Sequence, residues 1–328
     1  MKKIFLLFIF LSIFFGLFTE LSNIDPNFYN YDARAMAMGG AFTALTDKPV
    51  SVIWNPAGLN EMAGKHNLAF DNSSLHKLVS YNFFGYGYKV TPDFSTATGI
   101  TYCGDDALSE LTIYLSGAVK GNFINNKLFP LPEFFQRFNL GMNMKYFGSF
   151  FGNNSDGAYF DGSGLNHQVT GSAHGFGLDI GLQGKISSSQ TLGFLWRNPI
   201  NNLWWNSENE VGTAQGNYTE DIPTAIVFGY AIEKKNITFS LDYDKSHHRD
   251  TEDEIKTGLE LKLFKNILAL RTGYSRELLT AENKKFSLGT GFQFNIWKNT
   301  KVALDLAYQI FYEWEGHNAL RVSCNIMK

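Results

Sequence analysis

The C-terminal half of this chain alternates apolar and polar residues with a period of two, and no other feature restricts its fold as much. In IKTGLELKLF, Ile255, Thr257, Leu259, Leu261 and Leu263 point one way, while Lys256, Gly258, Glu260 and Lys262 point the other. ITFSLDY opposes Ile237, Phe239, Leu241 and Tyr243 to Thr238, Ser240 and Asp242, and FSLGTGFQFNI and VALDLAYQI repeat the pattern. Successive side chains of a strand project to opposite faces, so these are strands whose two faces meet different surroundings. Alternation does not say which face is inside.

Link lengths add the next constraint. Strands are predicted at 66–72, 78–90, 94–102, 111–120, 137–147, 174–185, 189–197, 222–232, 235–244, 254–264, 266–274, 284–297, 300–311 and 318–327. In the second half, tight links at Glu233-Lys234, Lys265 and Lys298-Asn299 alternate with longer polar ones at 198–221, 245–253, 275–283 and 312–317. The longest irregular link, 148–173, falls on the long side. Short turns at one end and long loops at the other belong to an up-and-down barrel of the outer-membrane kind, whose strands cross the hydrocarbon in about 9–11 residues. Tyr88, Phe147, Trp196, Tyr230, Tyr243, Phe264, Tyr274, Trp297 and Tyr308 fall near predicted strand ends, where interfacial aromatic girdles sit. The expectation is an all-β fold, an antiparallel transmembrane β-barrel of about 14 strands. One link does not fit: GNFINNKLFPLPEFFQRF (121–138) stands where a short turn belongs, and reads either as a misplaced strand pair or as a segment folding into or under the barrel.

The chain starts Met-Lys-Lys and runs apolar from Ile4 to Phe18, the pattern of an export signal, with an uncleaved anchor as the alternative. The signal is assigned to 1–22, and the expected location is the outer membrane. A net charge of -3 removes any argument for nucleic-acid binding through a basic surface. Cys103 and Cys324 lie far apart in strand-like segments and read as unpaired packing residues.

Between signal and first strand lies MGGAFTALTDKPVSVIWNPAGL (38–59), rich in small residues and barely charged. Asn55 suits a helix N-cap, Pro56 the first helical position, and Gly64 a left-handed close. Gly39 and Gly40 allow close backbone approach. So slim an element fits inside a barrel better than on its outer surface; an ordinary N-terminal cap is the plainer reading. The stretch DARAMAMGGAFTALTDKPVSVIWNPAGL resembles the N-terminal signature of the PorV/PorQ family, which is similar to FadL-type outer-membrane transporters. Met36, Met38, Gly39, Gly40, Ala41, Asp47, Trp54, Asn55, Pro56, Ala57, Gly58 and Leu59 carry the match. The resemblance implies a barrel at 66–328 and an N-terminal plug at 23–65, with Gly39, Gly40, Trp54, Asn55, Pro56 and Ala57 as plug or gating residues. It implies two alternative functions. One is a plugged channel for small hydrophobic molecules, which in FadL-like proteins leave through the barrel wall. The other is a type IX secretion component that holds secreted protein cargo. The C-terminus SCNIMK departs from the aromatic ending usual in such barrels.

Alternation puts Asp242, Glu260, Arg271, Asp305 and Arg321 on the polar face, where in a barrel they would line the lumen and pair across strands. They would position the plug, set lumen polarity, or serve as scaffold. Trp204 and Trp205, in the expected loop 198–221, are candidate outer-loop contacts for an apolar ligand or for protein. His247 and His248 lie in an acidic loop without the glycine and ligand order of a calcium loop, and read as solvated surface. No Gly-x-Ser-x-Gly elbow occurs, and no enzyme, cofactor or metal site is expected. Expected partners are outer-membrane lipid and either a hydrophobic small molecule or secreted cargo.

Overall fold

A computed structural model describes residues 31–75, 79–104, 108–151, 169–209, 216–220, 222–246, 253–278, 284–297, 299–312 and 318–328. The expected export signal, His247, His248 and residues 152–168 of the longest link lie outside the described residues.

Fifteen strands form a single sheet. In chain order they are β1 (His66–Leu75), β2 (Val79–Lys89), β3 (Phe94–Gly104), β4 (Leu108–Lys120), β5 (Phe138–Phe151), β6 (Val169–Lys185), β7 (Gln190–Asn209) and β8 (Gly216–Glu220). There follow β9 (Ala225–Lys234), β10 (Ile237–Ser246), β11 (Glu254–Leu263), β12 (Leu268–Glu277), β13 (Lys285–Trp297), β14 (Thr300–Phe311) and β15 (Asn318–Met327). Every pairing is antiparallel. β8 pairs only with the upper part of β7, while β6 pairs with both β5 and β7, so the other fourteen strands close a ring.

Each predicted strand has its counterpart, but the long-loop ends differ from expectation. β5 runs to Phe151, β6 begins at Val169 and β7 extends to Asn209, so 148–151, 169–173 and most of 198–221 are paired strand rather than loop. Polar residues at these ends hide the extension from a periodicity reading, because neighbouring strands satisfy the backbone whatever the side chains are.

The closed ring decides which face is inside. Asp242, Glu260, Asp305 and Arg321 are at most 4% exposed, whereas Leu259, Leu304 and Val322 on the alternate positions exceed 40%. The polar face is the interior and the apolar face the exterior. Phe147, expected in a girdle, shares the inward face with Asn143 and Lys145 and is corrected to a lumenal residue. Cys103 and Cys324 are both free; Cys103 borders a lumenal cavity, and Cys324 shares the outward face with Val322.

Residues 31–62 are buried except at Asp47 and Glu61. They form α1 (Ala33–Ala37), α2 (Ser51–Trp54) and a 3-10 helix, Pro56–Glu61. α1 touches β12 to β15, and the 3-10 helix touches β3 to β6 across the ring, so the segment traverses the interior. The expected α-helix after Asn55 is therefore a 3-10 helix. Asn55 does cap it, accepting from the Ala57 N–H at 3.2 Å. Gly64 lies beyond the helix end. Its φ of 81° turns the chain so that the Lys65 and His66 N–H groups donate to the Lys328 carbonyl at 2.7 and 2.9 Å. Residues 121–137 hold no strand, only α3 (Gly121–Lys127) and a 3-10 helix, Phe135–Arg137.

Candidate functional site

The N-terminal segment and the wall that grips it form an extended buried polar assembly among the described residues. Asp32 caps α1, accepting from the Arg34 and Ala35 N–H groups at 2.8 and 3.2 Å. That cap aims Arg34 at the wall, where its guanidinium makes a two-pronged pair with Glu260 at 3.0 and 3.1 Å and reaches Asp47 at 3.1 Å. Glu260 also accepts from Arg271 at 2.6 Å, and Arg271 donates to Asp305 at 2.7 Å. Lys48 closes the chain of charges, 3.3 Å from Asp305 and 3.5 Å from Asp32. Burial opposes the charge on Lys48, but Asp32 and Asp305 together outweigh it and raise its pKa above the ordinary lysine value. Unpaired charges at this depth would be costly, and here each is matched by opposite charge at hydrogen-bonding distance.

Asp242 grips the segment through its backbone. It accepts from the Phe42 and Thr43 N–H groups at 3.0 and 2.9 Å, while Ser240 donates to the Ala41 carbonyl at 2.7 Å. Arg321 pairs with Asp71, and its guanidinium lies 5.1 Å from the centre of the Tyr31 ring. All five inward charges named from sequence are thus engaged with the segment, with each other or with the neighbouring strand.

Across the ring the wall groups that meet the segment are amides and carbonyls rather than charges. The Asn55 amide donates to the Thr43 and Leu182 carbonyls at 2.9 and 3.0 Å. Gln183 donates to the Thr46 carbonyl at 3.0 Å, and Asn143 to the Val52 carbonyl at 2.8 Å. Trp54 donates from its indole to the Tyr31 carbonyl at 2.8 Å and packs edge-on against Phe42. Pro56 and Ala57 lie against Gly141, where a Cβ would stand 2.1 Å from the Ala57 nitrogen. Gly39 rests on Gly273 in the same way: a Cβ on Gly273 would meet the Gly39 nitrogen at 2.0 Å. Gly39 itself holds φ at 67°, a conformation that side chains with a Cβ resist.

Two cavities lie at opposite ends of the lumen. At the short-turn end, about 180 Å³ is bordered by Arg34, Asp47, Lys48, Glu260, Arg271 and Asp305. At the long-loop end, a smaller space of about 50 Å³ is bordered by the aromatic side chains of Tyr31, Tyr114, Phe147 and Trp205 and by Leu203 and Ile222, with Thr101, Cys103, Glu110, Thr112 and Ser149 among them. Beside the second cavity the wall ladder is interrupted. β7 pairs with β9 as far as Arg197–Ala225 and with β8 from Leu203–Glu220. On its other edge β7 bulges at Asn198 and Pro199. Side chains bridge the gap: the Asn198 amide donates to the Pro223 carbonyl at 3.0 Å, Thr224 donates to the Asn198 carbonyl at 3.0 Å, and the Ile222 N–H donates to Asn201 at 2.6 Å.

Trp204 and Trp205 are corrected from loop to strand, with different fates. Both lie on β7 paired to β6, and as strand neighbours they point to opposite faces. Trp204 faces outward, 47% exposed and edge-on to Phe176; Trp205 lines the aromatic cavity. Sequence reasoning missed Arg34, Lys48, Asn143 and Gln183 as partners of the wall, and Tyr31, Tyr114 and Phe147 as cavity residues. One available signal was the run of glycines on inward positions, including Gly141, Gly181 and Gly273, which marks where another backbone lies close.

No family model matches the sequence, and no curated protein matches it. Solved structures do match over almost the whole fold. The toluene transporter TodX of Pseudomonas putida aligns with a TM-score of 0.59 at 13% identity, covering 94% of this chain and 99% of its own. The toluene transporter TbuX of Ralstonia pickettii gives 0.57 at 14% identity, covering 90% and 96%. A FadL homologue of Pseudomonas aeruginosa gives 0.54 at 10% identity, covering 91% and 97%. The chain shares their barrel fold.

Proposed function

We propose that this protein is an outer-membrane channel for small hydrophobic molecules, with residues 31–65 as its plug. The carrying observation is the aromatic cavity at the long-loop end, bounded by Tyr31 of the plug and by the wall. The outward belt of exposed apolar residues supports a membrane-spanning barrel, since lipid is the solvent in which such a face is stable. The toluene transporters that share the barrel fold support the same substrate class.

An apolar molecule entering the cavity meets the plug below it and, beyond, a network of charges that it cannot solvate. The interrupted ladder between β7 and β9 offers the less costly way out, sideways into lipid, because its bridging hydrogen bonds are side-chain bonds that rotamer changes release. Gly39, Gly40, Trp54, Asn55, Pro56 and Ala57 hold the plug in place. Asp242, Glu260, Arg271, Asp305 and Arg321 are its anchors in the wall. No specific observation favours protein cargo.

The test is uptake of labelled toluene and of a labelled long-chain fatty acid by cells producing the protein, against cells that lack it. Faster uptake of either, lost in Trp205→Ala with Phe147→Ala, is the expected result. Equal uptake with and without the protein would refute the channel.

A further inference from the structure

The link between β4 and β5 is long where others at the same end are short. Links 186–189, 235–236 and 264–267 turn in four residues or fewer, yet 121–137 builds α3 and a 3-10 helix. Its backbone is closed on itself. The Leu128 and Phe129 N–H groups donate to the Ile124 carbonyl at 2.9 and 3.2 Å, the Leu131 N–H to Asn125 at 2.9 Å, and the Phe135 N–H to the Pro132 carbonyl at 2.9 Å. Its side chains are not closed: Leu128, Phe129, Phe134 and Phe135 are 67, 58, 51 and 49% exposed.

Strand parity tells which side of the wall this link occupies. Asn139 points into the lumen and donates to Glu61 at 2.9 Å, so Phe138 before it points outward. Phe138 is nevertheless only 9% exposed, because the Phe134 ring lies 5.1 Å from its own. The link therefore folds against the outer wall, and its apolar surface continues up β5 through Leu140, Met142 and Met144, each 38% exposed or more. From Leu140 to Phe150, ten residue-to-residue steps at about 3.3 Å each and a tilt near 40° span roughly 25 Å along the membrane normal, the height of a lipid-facing band. Leu140 marks the lower edge of that band, and the link sits at its border.

We propose that residues 121–137 lie in the headgroup–acyl boundary of the inner leaflet and anchor the β4–β5 wall to phospholipid. A self-bonded backbone suits a layer poor in water. The exposed Leu128, Phe129, Phe134 and Phe135 enter the acyl border, while exposed Lys127 reaches the lipid phosphates and Arg137, 3.4 Å from Glu133, keeps that one carboxylate of the stretch paired at the headgroup level. The inference rests on the membrane-spanning reading above and goes beyond the channel.

The experiment uses the full-length protein in phosphatidylethanolamine–phosphatidylglycerol vesicles, with Cys103→Ser and Cys324→Ala removing the native thiols. An environment-sensitive fluorophore is attached at Phe129→Cys, at Leu128→Cys, and at Leu115→Cys, an outward β4 position 59% exposed. Lipid spin-labelled near the headgroup is expected to quench the probes at 128 and 129 strongly and aqueous iodide weakly, with blue-shifted emission. Iodide quenching at 128 and 129 alongside lipid quenching at 115 would overturn the anchor, leave the channel untouched and point to a protein partner for this patch. Probes at 128 and 129 quenched by neither agent would also overturn it. Iodide quenching at all three positions would overturn the membrane-spanning reading itself.

Discussion

The two ends of the lumen are built from different chemistry. Toward the short turns, Arg34, Lys48, Glu260, Arg271 and Asp305 are joined by salt bridges of 2.6 to 3.3 Å, and the cavity beside them is bounded by charge. Toward the long loops, Tyr31, Tyr114, Phe147 and Trp205 border a smaller space whose one charged lining residue is Glu110. One segment, 31–62, borders both. On the proposed channel reading the contrast separates holding from binding: fixed charges with matched partners seat the segment and repel an apolar molecule, while aromatic side chains receive one without fixing the segment.

Breaking the charged end is expected to have the largest effect. Arg34→Ala removes the cation shared by Glu260 and Asp47; losing one member of a buried pair costs about 3–5 kcal/mol, and because Glu260 keeps Arg271 at 2.6 Å the loss should fall at the low end of that range. Thermal unfolding in detergent should show the loss, and adding Glu260→Gln should recover part of it. An unshifted transition would mean that the network does not hold the plug. Asn55→Ala, on the opposite wall, removes amide bonds to two carbonyls and should cost about 2 kcal/mol. Because it loosens the plug under the aromatic cavity, it should also change hydrophobic uptake while the barrel remains heat-modifiable on a gel; constant uptake would argue against gating.

At the aromatic end the balance should reverse. Phe147→Ala or Trp205→Ala is expected to cost roughly 1–2 kcal/mol of stability, since both side chains are only partly buried, yet to lower toluene uptake several-fold. A large stability loss with unchanged uptake would erase the distinction between the ends. Trp204→Ala should do least. It lies one residue from Trp205 but outside the wall, so uptake should stay as it was and stability should fall by less than about 1 kcal/mol.

Much of the barrel was legible from local pattern. Strands such as β10, β11 and β14 announce themselves because one face meets an apolar and the other a polar environment, which writes a period of two into the chain. The upper parts of β6 and β7 carry no such record: NNLWWNSEN is polar and aromatic without alternation, and its pairing with residues 169–177 and with β8 makes it strand. That is also why Trp204 and Trp205 read as loop. In the N-terminal segment the Asn55 cap was legible, being a contact two residues long, whereas the seat of Arg34 on Glu260 joins residues 226 positions apart.

The sequence by itself determined the strands, their short and long links, and the set of side chains that share each face, because all three follow from interactions between near neighbours in the chain. Ring closure decided the rest. It turned the polar face inward and set Gly273 against Gly39 and Gly141 against Ala57. It also put Phe147 and Trp205 into the same cavity, since contacts between distant residues exist only once every strand has found its register.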